Sequence, residues 1–212
     1  MRHIIERHKT IWTHEFTHAV IEGALLLATA LTLNYLAIGY ATERVSHSVT
    51  DIILSNIPVF QVDWIIIGTS IFLFLFSGVV AVHQPKMIPF ALKGVALFVV
   101  TRSVFISLTH LAPFTPHLII TSTRLMTVLG LGSANDLFFS GHTGLPFFAS
   151  LVFWHWKRIR NVYLTCSLIL ATSVLLAHLH YSIDVFAAFF ITYSIFQVAK
   201  KLFANDYARL RA

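Results

Sequence analysis

The chain has 212 residues, of which 57% are hydrophobic and only 11% charged, with a mean hydropathy of +0.77. A soluble domain carries about 25% charged residues, so an ordinary water-soluble globule is excluded and an apolar solvent is required. The formal charge of +6 raises nucleic acid as a partner, but the cations stand between apolar blocks, where membrane orientation accounts for them better; no nucleic-acid partner is expected.

Residues 1–17 are polar and read as an interfacial helix or cytoplasmic segment. No cleavable leader is expected, because the opening residues are polar and a full-length span follows. Apolar runs then predict spans at about 18–40, 64–82, 88–111, 141–156, 162–177 and 183–199. Polar segments at 41–63 and 112–140 alternate with the short turns His83-Gln84-Pro85-Lys86 and Lys157-Arg158-Ile159-Arg160-Asn161. The expected fold is all-α: one polytopic membrane domain over 18–203, a six-transmembrane-helix bundle, and a basic tail at 204–212. Cys166 is the single cysteine, so no intrachain disulfide can form.

Lys and Arg set the orientation. Numbering the segments alternately puts Arg2, Arg7, Lys9, Lys86, Lys93, Lys157, Arg158, Arg160, Lys200, Lys201, Arg209 and Arg211 on one side. Only Arg44, Arg102 and Arg124 fall on the other. Twelve against three makes both termini cytoplasmic. Segment 112–140 and the turn at 178–184 then share the outer side.

The second of these reads His178-Leu179-His180-Tyr181-Ser182-Ile183-Asp184. His180 and Asp184 are four apart and share a helix face, so the carboxylate can hold one ring nitrogen and leave the other as a nucleophile or base. The first ends in Ser140-Gly141-His142-Thr143, directly before a span. Small residues at a helix start expose backbone N–H groups that suit a phosphate, and a second histidine there can protonate a leaving alkoxide. A lone histidine would read as an interfacial residue bonded to a carbonyl. Two histidine segments on one predicted face, one with a spaced aspartate, read as a site.

A competing signal is His14-Glu15-Phe16-Thr17-His18, which fits the His-Glu-x-x-His zinc pattern, with Glu22 as a third ligand. Charge counting puts it at the cytoplasmic end of the first span, and no further protease motif follows. No metal and no cofactor are assigned.

Ser140-Gly141-His142-Thr143 and His180-x-x-x-Asp184 resemble the second and third motifs of the type 2 phosphatidic acid phosphatase superfamily. The closer resemblance is to its sphingomyelin synthase branch, which has an acidic residue four before the Ser-Gly-His-Thr motif, where Asp136 stands. That branch also has a segment similar to His178 through Val185. Arg102 and Thr109 keep its spacing in a looser third likeness, which ends at Pro113. The resemblance covers about residues 98–200. Where phosphatase members carry an arginine, six before the third-motif histidine, this chain has Val174, and their lysine-arginine-proline motif is not found. Both departures favour a phosphodiester donor over a dianionic monoester, which needs more fixed positive charge. Leu179 stands where the branch often has an acidic residue, which leaves the headgroup open.

The resemblance implies transfer of phosphocholine or phosphoethanolamine from a glycerophospholipid to a lipid alcohol such as ceramide. His180, oriented by Asp184, is the expected nucleophile, forming a phosphohistidine, and His142 the expected acid and base. Asp136, Ser140, Gly141, Thr143, Arg102, His178 and Tyr181 are the expected substrate-binding residues. The expected partners are membrane lipids: the donor, the ceramide-like acceptor and diacylglycerol. A hydrolase of the same superfamily and a non-enzymatic lipid-binding or scrambling protein are the alternatives.

Overall fold

The computed structural model describes residues 10–117 and 137–211, and every regular element among them is helical. In chain order these are α1 (His14–Glu43), α2 (Asp63–His83), α3 (Ile88–Leu108), α4 (Gly141–Val152), α5 (Lys157–Leu176), α6 (Ser182–Leu202) and α7 (Ala204–Arg211). Short 3-10 turns at Leu54–Asn56 and Pro85–Met87 precede α2 and α3. Helix α1 begins at His14, earlier than the apolar pattern predicts, because Thr13 caps it: its hydroxyl accepts from the Phe16 N–H at 3.3 Å. Pro85 opens the Pro85–Met87 turn, where its missing N–H costs nothing.

Among the described residues five helical stretches are long and apolar enough to cross a membrane: α1, α2, Pro85–Leu108, α5 and α6. The fourth predicted span differs. Its helix runs only from Gly141 to Val152, 12 residues or about 18 Å of rise, short of a hydrocarbon core of about 30 Å. The chain leaves the helix at Phe153 and turns before α5 begins at Lys157. Hydropathy does not register that break, because Phe153 and Trp154 are as apolar as the helix before them. Helix α4 packs among its neighbours, lying against α5 and α6 and touching α3. Most of its residues are buried.

The packing follows side-chain size. Phe98 from α3, Phe139, Phe148 from α4 and Phe153 are fully buried in one cluster. Close approach is possible because glycines face the rings: a Cβ on Gly144 would sit 2.7 Å from Phe98 Cζ and 2.8 Å from Thr192 Oγ1. Gly144→Ala is therefore expected to overpack the α3–α4–α6 contact and to destabilise the fold by about 1–3 kcal/mol. Thermal unfolding in detergent checks this; an unchanged midpoint contradicts the packing.

The predicted tail forms α7, tied in by charge. Lys93 on α3 is buried, with its ammonium 2.6 Å from Glu22 on α1 and 2.8 Å from Asp206 on α7. Arg209 lies 3.6 Å from Glu15 and from Asp206. The zinc-like pattern is built into this clasp. His14 and His18 do share a face, with ring centroids 4.4 Å apart, but Glu22 is engaged by Lys93 rather than set beside them. Among the described residues no group of three His, Cys, Asp or Glu side chains gathers to hold a metal.

Candidate active site

His180 stands in the turn between α5 and α6, and Asp184 lies one helical turn later, wholly buried. The His180 Nδ1–H faces Asp184 Oδ2 at 3.4 Å; the two meet as expected but not on one helix face, because α6 begins only at Ser182 and His180 reaches back from the turn before it. This is long for a hydrogen bond, though catalytic contacts commonly tighten only on substrate binding. The same oxygen accepts from the Tyr181 N–H at 3.1 Å, so Asp184 orients the ring and caps the start of α6 at once. Held this way, His180 has Nε2 on the side of the ring away from Asp184, a nitrogen able to act as base or nucleophile.

The Ser140-Gly141-His142-Thr143 segment begins α4. Ser140 is the N-cap, its hydroxyl accepting from the Thr143 N–H at 3.4 Å. The Ser140 N–H donates to the Asp184 carbonyl at 3.1 Å, which fastens the start of α4 to the first turn of α6. That bond brings the histidines together: the ring centroids of His142 and His180 are 6.4 Å apart, with planes at 64°.

Arg102 reaches the same place from α3. Its side chain is buried, and Nε–H donates to the Phe139 carbonyl at 3.0 Å. The guanidinium covers Gly141: a Cβ there would lie 3.5 Å from Nε and 3.7 Å from Cζ. A fixed cation thus joins the N–H groups at the start of a helix, two features that favour an anion.

Thr143 is buried within α4, its carbonyl accepting from the Ser167 hydroxyl at 2.8 Å. His178 takes a positive φ of 54°, an uncommon conformation for a residue with a Cβ. Its Nδ1–H donates to the Pro116 carbonyl at 3.0 Å, while Nε2 is buried with no partner among the described residues. Tyr181 is buried and its hydroxyl faces the neighbouring loops, donating to the Ala112 carbonyl at 2.8 Å and accepting from the Val49 N–H at 3.2 Å. Asp136 lies outside the described residues.

One residue the sequence reading leaves unassigned joins this region. Asp51, in the loop between α1 and α2, accepts from the Ser182 N–H at 2.7 Å through Oδ2. Its Oδ1 accepts from Ile53 and Leu54 at 2.9 and 3.1 Å. Burial alone pushes its carboxyl up, but the hydrogen bonds from Ser182, Leu54 and Ile53 outweigh that and hold it below its ordinary 3.8, so it is ionised at neutral pH.

Comparison with known proteins adds one finding. Residues 133–201 match the family model described as PAP2 superfamily C-terminal, a stretch that takes in both histidine segments and Asp184. Comparisons with curated proteins and with solved structures gave no match. With helices able to cross a membrane and two histidines facing each other within the matched stretch, the match supports the type 2 phosphatidic acid phosphatase superfamily.

Proposed function

We propose that this chain is a lipid-headgroup phosphotransferase, moving phosphocholine or phosphoethanolamine from a glycerophospholipid to a lipid alcohol of the ceramide type. The observation that carries the reading is the pair of histidine rings 6.4 Å apart, with Asp184 against Nδ1 of His180. His180 Nε2 attacks phosphorus. The bond from phosphorus to the diacylglycerol oxygen breaks, and His142 gives that oxygen its proton. His142 then takes the proton of the acceptor hydroxyl, whose oxygen attacks the phosphohistidine and releases His180 unchanged. Arg102 and the start of α4 face the phosphoryl oxygens, where negative charge builds.

The choice of a diester donor draws support from Val174, which is fully buried among Ile66, Leu170 and Val185 and offers no cation. Hydrolysis is the second reading, favoured by a match to a phosphatase superfamily, with water in place of the acceptor. The test is purified protein in liposomes of mixed glycerophospholipids, with and without ceramide, read by mass spectrometry. A headgroup on ceramide is the expected result. Free phosphorylated headgroup alone, with ceramide untouched, replaces transfer by hydrolysis. Lipid movement that survives His180→Ala, with no new product, replaces both by a non-enzymatic role.

The same reading puts the site on the outer membrane surface with both termini cytoplasmic, on the strength of the twelve-to-three charge split, and it requires α4 together with the turn after it to carry the chain back across the membrane. Ser48→Cys, at an exposed position in the loop beside Asp51, is expected to react with an impermeant maleimide from outside only, in a Cys166→Ser background. Labelling only from the cytoplasm contradicts the orientation.

A further inference from the structure

We infer that Asp51 is a positioning residue for His180, holding from the loop between α1 and α2 the turn that carries the nucleophile; this rests on the reading of His180 given above. The turn is gripped on both sides of His180. Two residues before it, His178 is tied to the Pro116 carbonyl. Immediately after it, the Tyr181 hydroxyl bridges Val49 and Ala112. Two residues after it, the Ser182 N–H is held by Asp51 at 2.7 Å, the shortest of these contacts and the one made to a full negative charge.

The arrangement is more than a local loop bond. Ser182 opens α6, so its N–H has no acceptor within the helix. Asp184 takes the neighbouring N–H of Tyr181, and Asp51 takes that of Ser182. Two carboxylates, 133 positions apart, therefore divide the start of α6 between them. One touches His180 directly and the other acts through the backbone. Asp51 can do this because its second oxygen is anchored to its own loop by Ile53 and Leu54. A carboxylate accepts on both sides, whereas an asparagine must turn an NH2 toward one of them. Asp51→Asn therefore loses either the Ser182 contact or the loop anchor. A nucleophile displaced by about 1 Å loses about 10²-fold in rate.

The test compares wild type, Asp51→Asn, Asp51→Glu and the exposed control Thr50→Ala, as full-length protein in liposomes. It measures kcat and KM for headgroup transfer and the hydrogen exchange of the Ser182 amide. Asp51→Asn is expected to lower kcat about 10- to 100-fold with KM within about twofold, and to speed exchange at Ser182. Asp51→Glu restores part of kcat, and Thr50→Ala matches wild type. An unchanged kcat in Asp51→Asn overturns the inference. So does a rate loss that merely equals the loss of folded protein by size-exclusion chromatography. If wild type transfers no headgroup, the functional reading fails by itself, and the exchange arm judges the grip alone: unchanged Ser182 exchange in Asp51→Asn overturns it.

Discussion

His180→Ala is expected to abolish turnover of every phosphodiester, whereas His142→Ala is expected to recover in part on a donor whose leaving group is an activated phenol. The proposed division of labour follows from what touches each ring. Asp184 lies against Nδ1 of His180 and can stabilise the positive charge that ring acquires when it bonds to phosphorus. His142 faces His180 across 6.4 Å and begins a helix with no carboxylate one turn on. An acid matters most when the leaving oxygen is strongly basic, as an alkoxide is, and little when it is a nitrophenolate. Loss of His142 should therefore cost about 10²–10⁴-fold on a natural lipid, and much less on a nitrophenyl phosphodiester. Loss of His180 removes the covalent step and should cost on the order of 10⁴–10⁶-fold on both. Asp184→Asn should lie between, because the imidazole remains but its orientation and charge stabilisation weaken. Rates of the three variants on both donors check this. Rescue of His180→Ala with His142→Ala left inactive reverses the roles.

Arg102 carries the second large effect. Arg102→Ala is expected to lower kcat about 10²–10³-fold, the loss seen when one fixed donor to a developing oxyanion is removed. Arg102→Lys should recover only part of it. The reason lies in the two faces of the side chain: Nε–H is committed to the Phe139 carbonyl at 3.0 Å, and the rest of the guanidinium covers Gly141. A lysine supplies the charge without the planar fork that serves both. The measurement is kcat and KM on the natural donor, with circular dichroism to verify folding. A loss confined to KM contradicts a role at the transition state and leaves Arg102 as a ground-state contact.

Features written in local spacing were legible in the sequence. The four-residue spacing of His180 and Asp184 puts them near each other, although His180 reaches the carboxylate from the turn before α6 and not from a shared helix face, and α4 starts at Gly141, where the apolar run begins. Features that depend on distant parts of the chain were not legible. The bond from Asp51 to Ser182 joins residues 131 apart, and nothing near Asp51 marks it as different from other loop aspartates. The turn of Pro116 toward His178 spans 62 residues. Lys93 reads in sequence as an orienting cytoplasmic charge, yet it is buried between two carboxylates, because Glu22 and Asp206 come from the two ends of the chain. The length of α4 was hidden for a different reason: apolar residues continue through the turn that ends it, so hydropathy sees one run where the backbone makes a short helix and a bend.

On the proposed mechanism the headgroup passes through His180 in two displacements. The stereochemistry at phosphorus distinguishes this route from direct transfer, using a glycerophospholipid donor made chiral at phosphorus with sulfur or oxygen isotopes and a ceramide acceptor. Each in-line displacement inverts the configuration, so attack by His180 followed by attack of the acceptor hydroxyl predicts overall retention in the transferred headgroup. Overall inversion would mean a single direct displacement, with both histidines serving only as acid and base, and would contradict the account.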